Sequence, residues 1–300
     1  MKYHTPVLLT ESIKGLNIRP DGVYVDVTFG GGGHSKAILE KLTTGRLFAM
    51  DQDADALKNA PINNRLIVEH GNFSFLRNYL AHHGYRKVDG ILADLGVSSF
   101  HFNNAFRGFS FQNNEAPLDM RMNTSAHLTA KTVINQYPES KLKYIFAEYG
   151  ELPNAQRLAR QIVTARRDET INNSGQLIKT IGHCIPKGSE NKYLAKFFQS
   201  LRIEVNNELE NLKTLLIQSA DLLSADGRLV VIAYHSLEDR LVKNYFKNGM
   251  FEGSAEKDVY GNVNVPFRQE NKKAIIPSDA EITSNSRARS AKLRIGIRNI

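Results

Sequence analysis

Cysteine occurs once in these 300 residues, as Cys184, and tryptophan is absent. One thiol can form neither an internal disulfide nor a multi-cysteine zinc site, so the fold must rest on core packing and suits a reducing, cytoplasmic compartment. Long hydrophobic runs are missing as well. Leu229–Tyr234, one of the longest, falls far below the ~20 residues that cross a bilayer. The start of the chain, with one early Lys and the short apolar run Val7–Leu9, does not read as a signal peptide. Nine histidines are scattered without an H-E-x-x-H spacing, so no metal is expected. Acidic residues stop at Glu281, whereas Arg287, Arg289, Lys292, Arg294 and Arg298 follow. Residues 240–300 hold 12 basic and 6 acidic side chains and so carry +6 of the net charge of +8. Such a local excess points to a polyanionic partner, with a solvated tail as the plainer alternative.

What the chain does have is glycine gathered in one place. Asp26–Ser35 reads D-V-T-F-G-G-G-G-H-S. The β-branched and aromatic run Val23–Val25 precedes it, and Lys36–Leu42 follows with Ile38, Leu39 and Leu42 at helical spacing. The unit is strand, glycine loop, helix. Glycines let a ligand approach the backbone, and a helix start offers unpaired N–H groups. Ser35 stands where a G-x-G-x-x-G fingerprint wants its third glycine, and no Walker Lys-Ser/Thr follows. The second strand, Arg46–Met50, ends in Asp51, an acid suited to both hydroxyls of a ribose. An adenosyl cofactor without a pyrophosphate fits this pair, and an ordinary tight turn beside a solvated Asp remains the alternative.

Alternation of strands and helices continues through Leu66–Val68, a helix with Phe73, Leu76 and Leu80 on one face, and Val88–Leu95. This argues a parallel, doubly wound sheet, with ligands outside the carboxyl ends of its strands. Asp94 lies at such an end, as do the glycine loop and Asp51. Near residue 100 the rhythm changes. Aromatic and basic residues interleave over 100–122, and helical patterns then dominate, including one stripe from Val205 to Leu223. The strand Arg228–Tyr234 leads into H-S-L-E-D-R (235–240), with His235 again at a strand end. Residues 249–285 read as a long loop, and Ala291–Ile297 as a final edge strand. The fold class is α/β, a Rossmann-like sheet carrying an inserted all-helical domain. Its expected parts are residues 1–102, the insertion 103–210, and 211–300.

The sequence resembles the bacterial ribosomal RNA small-subunit methyltransferase H family, also called MraW. The shared stretches include H-T-P-V-L-L (4–9), the glycine loop, A-M-D-Q-D (49–53), D-G-I-L-A-D-L-G-V-S-S (89–99) and R-G-F-S-F (107–111). They continue in P-L-D-M-R-M (117–122), F-Q-S-L-R-I-E-V-N-N-E-L (198–209), H-S-L-E-D-R and S-R-A-R-S-A-K-L-R (286–294). The resemblance implies S-adenosyl-L-methionine as cofactor and N4 of a decoding-centre cytidine in 16S rRNA as the methyl acceptor. It assigns Gly32, Gly33, His34, Asp51, Phe73 and Asp94 to the cofactor, with His101 standing where the family often has Gln. Lys192–Lys196 departs from the family's H-P-A-T-R.

Transfer to an exocyclic amine requires an acceptor for its hydrogen bonds, and Asp94 or nearby backbone carbonyls can serve. His235 and Asp119 are further catalytic candidates. Arg107, Arg121, Arg287, Arg289, Lys292 and Arg294 are candidates for RNA contact. The expected partner is 16S rRNA or the small ribosomal subunit, with no membrane and with a homodimer left open. A nicotinamide-dependent dehydrogenase and a non-catalytic RNA-binding protein on the same scaffold are the competing classes.

Overall fold

The computed structural model describes residues 6–97, 107–253 and 265–299. The chain divides into two compact units, one built from the chain up to Gly96 and from Leu209 onward, the other from Val97 to Glu208.

The first unit is a seven-stranded sheet. Its strands are β1 (Val23–Asp26), β2 (Arg46–Asp51), β3 (Leu66–His70), β4 (Val88–Asp94), β5 (Leu223–Ala233), β6 (Phe267–Gln269) and β7 (Lys292–Arg298). Their order is β3-β2-β1-β4-β5-β7-β6, parallel except for β7, which runs antiparallel to both β5 and β6. β1, β2 and β4 are nearly continuous apolar runs because helices cover both faces of a parallel sheet. Strand order reverses between β1 and β4. A crevice forms outside the carboxyl ends of the strands at such a reversal, and Asp26 and Asp94 close these two strands.

Around this sheet lie α1 (Leu9–Leu16), α2 (Gly33–Lys41), α3 (Ala54–Leu57) and α4 (Leu76–His82). The second unit contributes α5 (Ala130–Gln136), α6 (Glu139–Tyr144), α7 (Ala155–Asp168), α8 (Ser174–Ile181) and α9 (Glu190–Asn206). Its own core joins Val133, Phe146, Leu158, Ile162, Phe197 and Leu201. The chain re-enters the sheet through α10 (Glu208–Leu222), followed after β5 by α11 (Ser236–Asn248) and, before β7, by α12 (Asp279–Ser284).

Three sequence expectations change. The stripe from Val205 to Leu223 is two helices, because Asn207 adopts the left-handed conformation (φ 51°) that asparagine tolerates. Asn206 fixes that end: its amide donates to Met120 O and its oxygen accepts from Met122 N. One stripe therefore serves two cores, Val205 in the helical unit and Leu212 and Leu216 beneath the sheet. Gly15 sits inside α1; a Cβ there would lie 2.7 Å from Ile295 Cδ1, so the glycine serves close packing and Asn17 ends the helix. β7 is not an edge strand. Its alternation arises where Gly296 makes room for the Phe246 ring, and β6 takes the edge. The described part of the expected loop 249–285 carries β6 and α12, whose N-cap is Ser278.

Gly45 turns the chain from α2 into β2, and its N–H donates to Pro20 O at 3.0 Å. A Cβ at this position would stand 2.2 Å from Gly22 O, a backbone atom that cannot swing away. Gly45→Ala is expected to lower unfolding free energy by about 1–3 kcal/mol, measured by the denaturant midpoint.

Candidate active site

Three carboxylates stand at the ends of three neighbouring strands, and each holds the glycine loop. Asp51, closing β2, accepts from Gly30 N at 2.8 Å and Asp53 N at 2.9 Å. Asp26, closing β1, is 1% exposed; it accepts from Ser35 Oγ at 2.7 Å and Thr28 N at 3.1 Å. Asp94, closing β4, donates its own N–H to Thr28 Oγ1 at 2.7 Å. Burial pushes the Asp26 carboxyl upward against the opposing pull of His34 and Ser35. Burial likewise raises that of Asp94, opposed by His34 and the Tyr234 hydroxyl. Asp94 Oδ1 is enclosed and makes no hydrogen bond among the described residues. A buried polar atom in that state is costly unless a ligand completes it.

His34 is buried in the first turn of α2, its Nε2 3.2 Å from Val7 O and its Nδ1 3.8 Å from Asp94 Oδ2. It locks the loop to the N-terminal arm as well as to Asp94. The missing Cβ atoms at two loop positions are explained by the protein's own packing. At Gly33 a Cβ would lie 2.1 Å from Pro6 Cγ, and at Gly32 (φ 76°) 2.7 Å from the Phe29 ring. Gly30, with φ 52°, has only Thr28 O near such a position, at 3.8 Å. Here the loop leaves room for close approach. Phe73 opens a 3-10 turn after β3 and packs, half-buried, on the sheet core. His101 lies outside the described residues.

His235 is the N-cap of α11. Its ring accepts from Glu238 N, and the Glu238 carboxylate accepts from the backbone of Tyr234 and His235, a reciprocal capping box. In the helical unit, Asp119 is taken up by Arg121, whose Nε and Nη2 donate to its two oxygens at 2.8 and 2.7 Å. Burial opposes ionisation there, but this fork outweighs it and holds the Asp119 carboxyl below its ordinary value. Arg121 Nη1 also donates to Thr124 O and Ala126 O. Arg107 is 8% exposed and donates to Arg121 O and Met122 O. These three residues form the scaffold of a turn, which counts against Asp119 as a catalytic base and Arg107 as a phosphate contact.

The basic C-terminal residues also divide. Arg287 and Arg289 are exposed on a 3-10 turn, Ser286–Ser290. Lys292 and Arg294, on β7, both reach Asp239, at 3.1 and 2.6 Å. Arg294 is 9% exposed and ion-paired, so it leaves the set of candidate phosphate contacts. Charge counting cannot distinguish such an internal pair from an outward cation.

The family model described as the MraW methylase family matches residues 1–299. The chain belongs to the MraW methylase family. Two curated relatives, each named ribosomal RNA small subunit methyltransferase H, support the assignment. That from Christiangramia forsetii is 53% identical over 98% of this chain and 97% of its own length. That from Cytophaga hutchinsonii is 52% identical over 99% of both. An rRNA methylase structure from Streptococcus thermophilus aligns over 100% of this chain and 99% of its own, at 10% identity and TM-score 0.43.

Within the family's glycine loop, sequence reasoning passed over Asp26 and Ser35 as functional residues. An acid closing an apolar strand, with a hydroxyl nine positions on at the helix start, was the available signal. For Asp239, burial opposes the charge, yet Arg294 and Lys292 hold its carboxyl below the ordinary range. A lowered folded value contributes stability at neutral pH that is lost as pH falls through it, below about pH 4. Asp239→Ala also strands a buried guanidinium. It is expected to cost about 3–5 kcal/mol at pH 7 and to flatten the acid limb of stability, followed by denaturant titrations from pH 7 to 3.

Proposed function

We propose that the chain transfers the methyl group of S-adenosyl-L-methionine to N4 of a decoding-centre cytidine in 16S rRNA, as free RNA or within the small ribosomal subunit. The observation that carries this reading is the enclosed, unpartnered Oδ1 of Asp94 beside the glycine loop, at the reversal of strand order. A bound amine can donate the hydrogen bond that this oxygen lacks.

The residues present fit the cofactor. Gly30 leaves open backbone for an adenosyl group, and Asp51, closing β2 beside it, offers a carboxylate for ribose hydroxyls. Bound S-adenosyl-L-methionine supplies a methyl already activated by its sulfonium. The chain's own work is alignment and charge. Asp94 accepts a hydrogen bond from the amine as its lone pair leaves conjugation with the ring and the nitrogen becomes tetrahedral. His34 and Thr28 hold Asp94 against the loop while this happens. Arg287 and Arg289 supply outward positive charge for RNA phosphates. A ribosomal substrate makes the protein cytoplasmic; in keeping with this, no helix among the described residues is long and apolar enough to cross a membrane.

The deciding experiment follows labelled methyl from S-adenosyl-L-methionine into small-subunit rRNA and identifies the nucleoside. Label in N4-methylcytidine is expected. Label in another nucleoside overturns the specificity, and calorimetric binding of NAD with no binding of S-adenosyl-L-methionine returns the dehydrogenase.

Two substitutions probe the ends of the site separately. Asp51→Ala should weaken S-adenosyl-L-methionine binding by about 1.5–3 kcal/mol, the range for hydrogen bonds to a charged group, as read by calorimetry. Replacing Arg287 and Arg289 together by Ala should leave that affinity unchanged and weaken RNA binding. The slope of log affinity against log salt should shrink by roughly 0.7 per lost single-strand contact. Parallel salt plots for variant and wild type would remove both arginines from the RNA path.

A further inference from the structure

Three consecutive residues of the N-terminal arm each make a contact with the fold. Pro6 fills the space over Gly33, where a Cβ would lie 2.1 Å from its Cγ. Val7 O stands 3.2 Å from His34 Nε2, and Leu8 N–H donates to Glu281 Oε1 at 2.8 Å. The last two contacts belong to a single peptide group. Such a group is planar and trans, so its carbonyl and its N–H point to opposite sides. One rigid plane is therefore gripped at both ends, by His34 of α2 and by Glu281 of α12.

Neither grip is a local habit of the chain. Ser278-Asp279-Ala280-Glu281 has the spacing of a capping box, in which the acid turns back to the N-cap backbone. Ser278 does its half and accepts from Glu281 N at 3.2 Å. The Glu281 carboxylate reaches instead to Leu8, 273 residues earlier. Leu8 is 1% exposed and left-handed, with φ 51°, a conformation that L side chains avoid. This turn is kept where its buried N–H has a carboxylate to meet. On the opposite side the Val7 carbonyl can only accept, so its hydrogen bond requires the proton on His34 Nε2. A neutral ring then keeps Nδ1 bare, and Nδ1 is the atom 3.8 Å from Asp94 Oδ2. Which ring nitrogen carries the proton thus depends on how the Val7–Leu8 plane is turned.

We infer that Glu281 is a positioning residue for the glycine loop: by holding the Val7–Leu8 peptide plane it fixes the orientation and tautomer of His34. This rests on the reading of that loop as the S-adenosyl-L-methionine site. The acid itself touches no cofactor. It acts through one peptide group and one imidazole, so its loss is felt as a looser loop and weaker cofactor binding.

Two variants of the full chain test this. Glu281→Ala removes the acceptor, whereas Glu281→Gln removes the charge and keeps an oxygen for Leu8 N. In calorimetry with S-adenosyl-L-methionine, Glu281→Ala is expected to bind about tenfold more weakly, as for loss of one hydrogen bond to a charged group. Glu281→Gln should restore most of that loss. Nitrogen NMR of the His34 ring, at a pH where it is neutral, should show the Nε2-protonated tautomer in wild type and Glu281→Gln and a mixture in Glu281→Ala. A purely structural role, capping α1 through Leu8, predicts a lower denaturant midpoint for Glu281→Ala with affinity and tautomer unchanged. That result overturns the proposal. Should Glu281→Ala not fold, the wild-type protein decides: a protected Leu8 amide with the Nε2 tautomer supports the proposal. A freely exchanging Leu8 amide, or His34 protonated at Nδ1 alone, overturns it. Asp51→Ala separates the two levels of the argument. Weakened binding there with unchanged binding in Glu281→Ala overturns the role of Glu281 alone. Unchanged binding in Asp51→Ala overturns the reading of the loop, and the proposal falls with it.

Discussion

The first unit depends on a carboxylate kept out of water. Asp26 closes β1 in a setting where a charge survives only if it is hydrogen-bonded, and the glycine loop supplies the donors. Ser35 comes from the first turn of α2 and Thr28 from the start of the loop, so one acid ties strand, loop and helix together. Thr28 then passes the constraint on, since its hydroxyl accepts from Asp94 N. Asp51 fixes Gly30 from the other side. Three adjacent strands each contribute an acid to the same ten-residue turn. A loop held from three strands is pre-organised, and pre-organisation is what alignment of an amine with a methyl donor requires.

The N-terminal arm extends this arrangement across the chain. Pro6 occupies the space that a side chain at residue 33 would need, Val7 O meets His34, and Leu8 adopts a left-handed conformation with φ 51°. That conformation is costly for leucine. It persists because Leu8 N–H donates to Glu281 Oε1, 273 residues further on. Glu281 belongs to α12, just before the exposed arginine turn. The arm thus links the loop to the C-terminal segment through two hydrogen bonds and one proline contact.

Much of this was legible in the sequence because it is written in local pattern. The apolar runs of β1, β2 and β4, the glycine loop, and acids at strand ends all fall within short windows. What was not legible depends on contacts between distant segments. Nothing local at Asn207 shows that Asn206 is claimed by Met120 and Met122 and that the helix must break there. The glycine at 296 reads as weak alternation until Phe246 is seen packed on it. Asp119, a catalytic candidate in the sequence, and Arg121, a candidate for RNA contact, make a closed fork with each other.

The basic C-terminus shows the same limit in electrostatic form. Five cations follow the last acid, and composition alone treats them as equivalent. Arg298 donates to Ala220 O and Pro266 O, closing β7 against the helix that precedes β5. Lys292 and Arg294 converge on Asp239 in α11, so one of their two charges is balanced within the fold. Arg287 and Arg289 are exposed on a 3-10 turn whose N-cap Asn285 accepts from Arg287 N. A polyanion attracted to this end of the sheet meets cations on an ordered turn and strand rather than on a loose tail. That geometry favours a defined phosphate path over diffuse attraction, because the entropy of ordering the turn is already spent in folding.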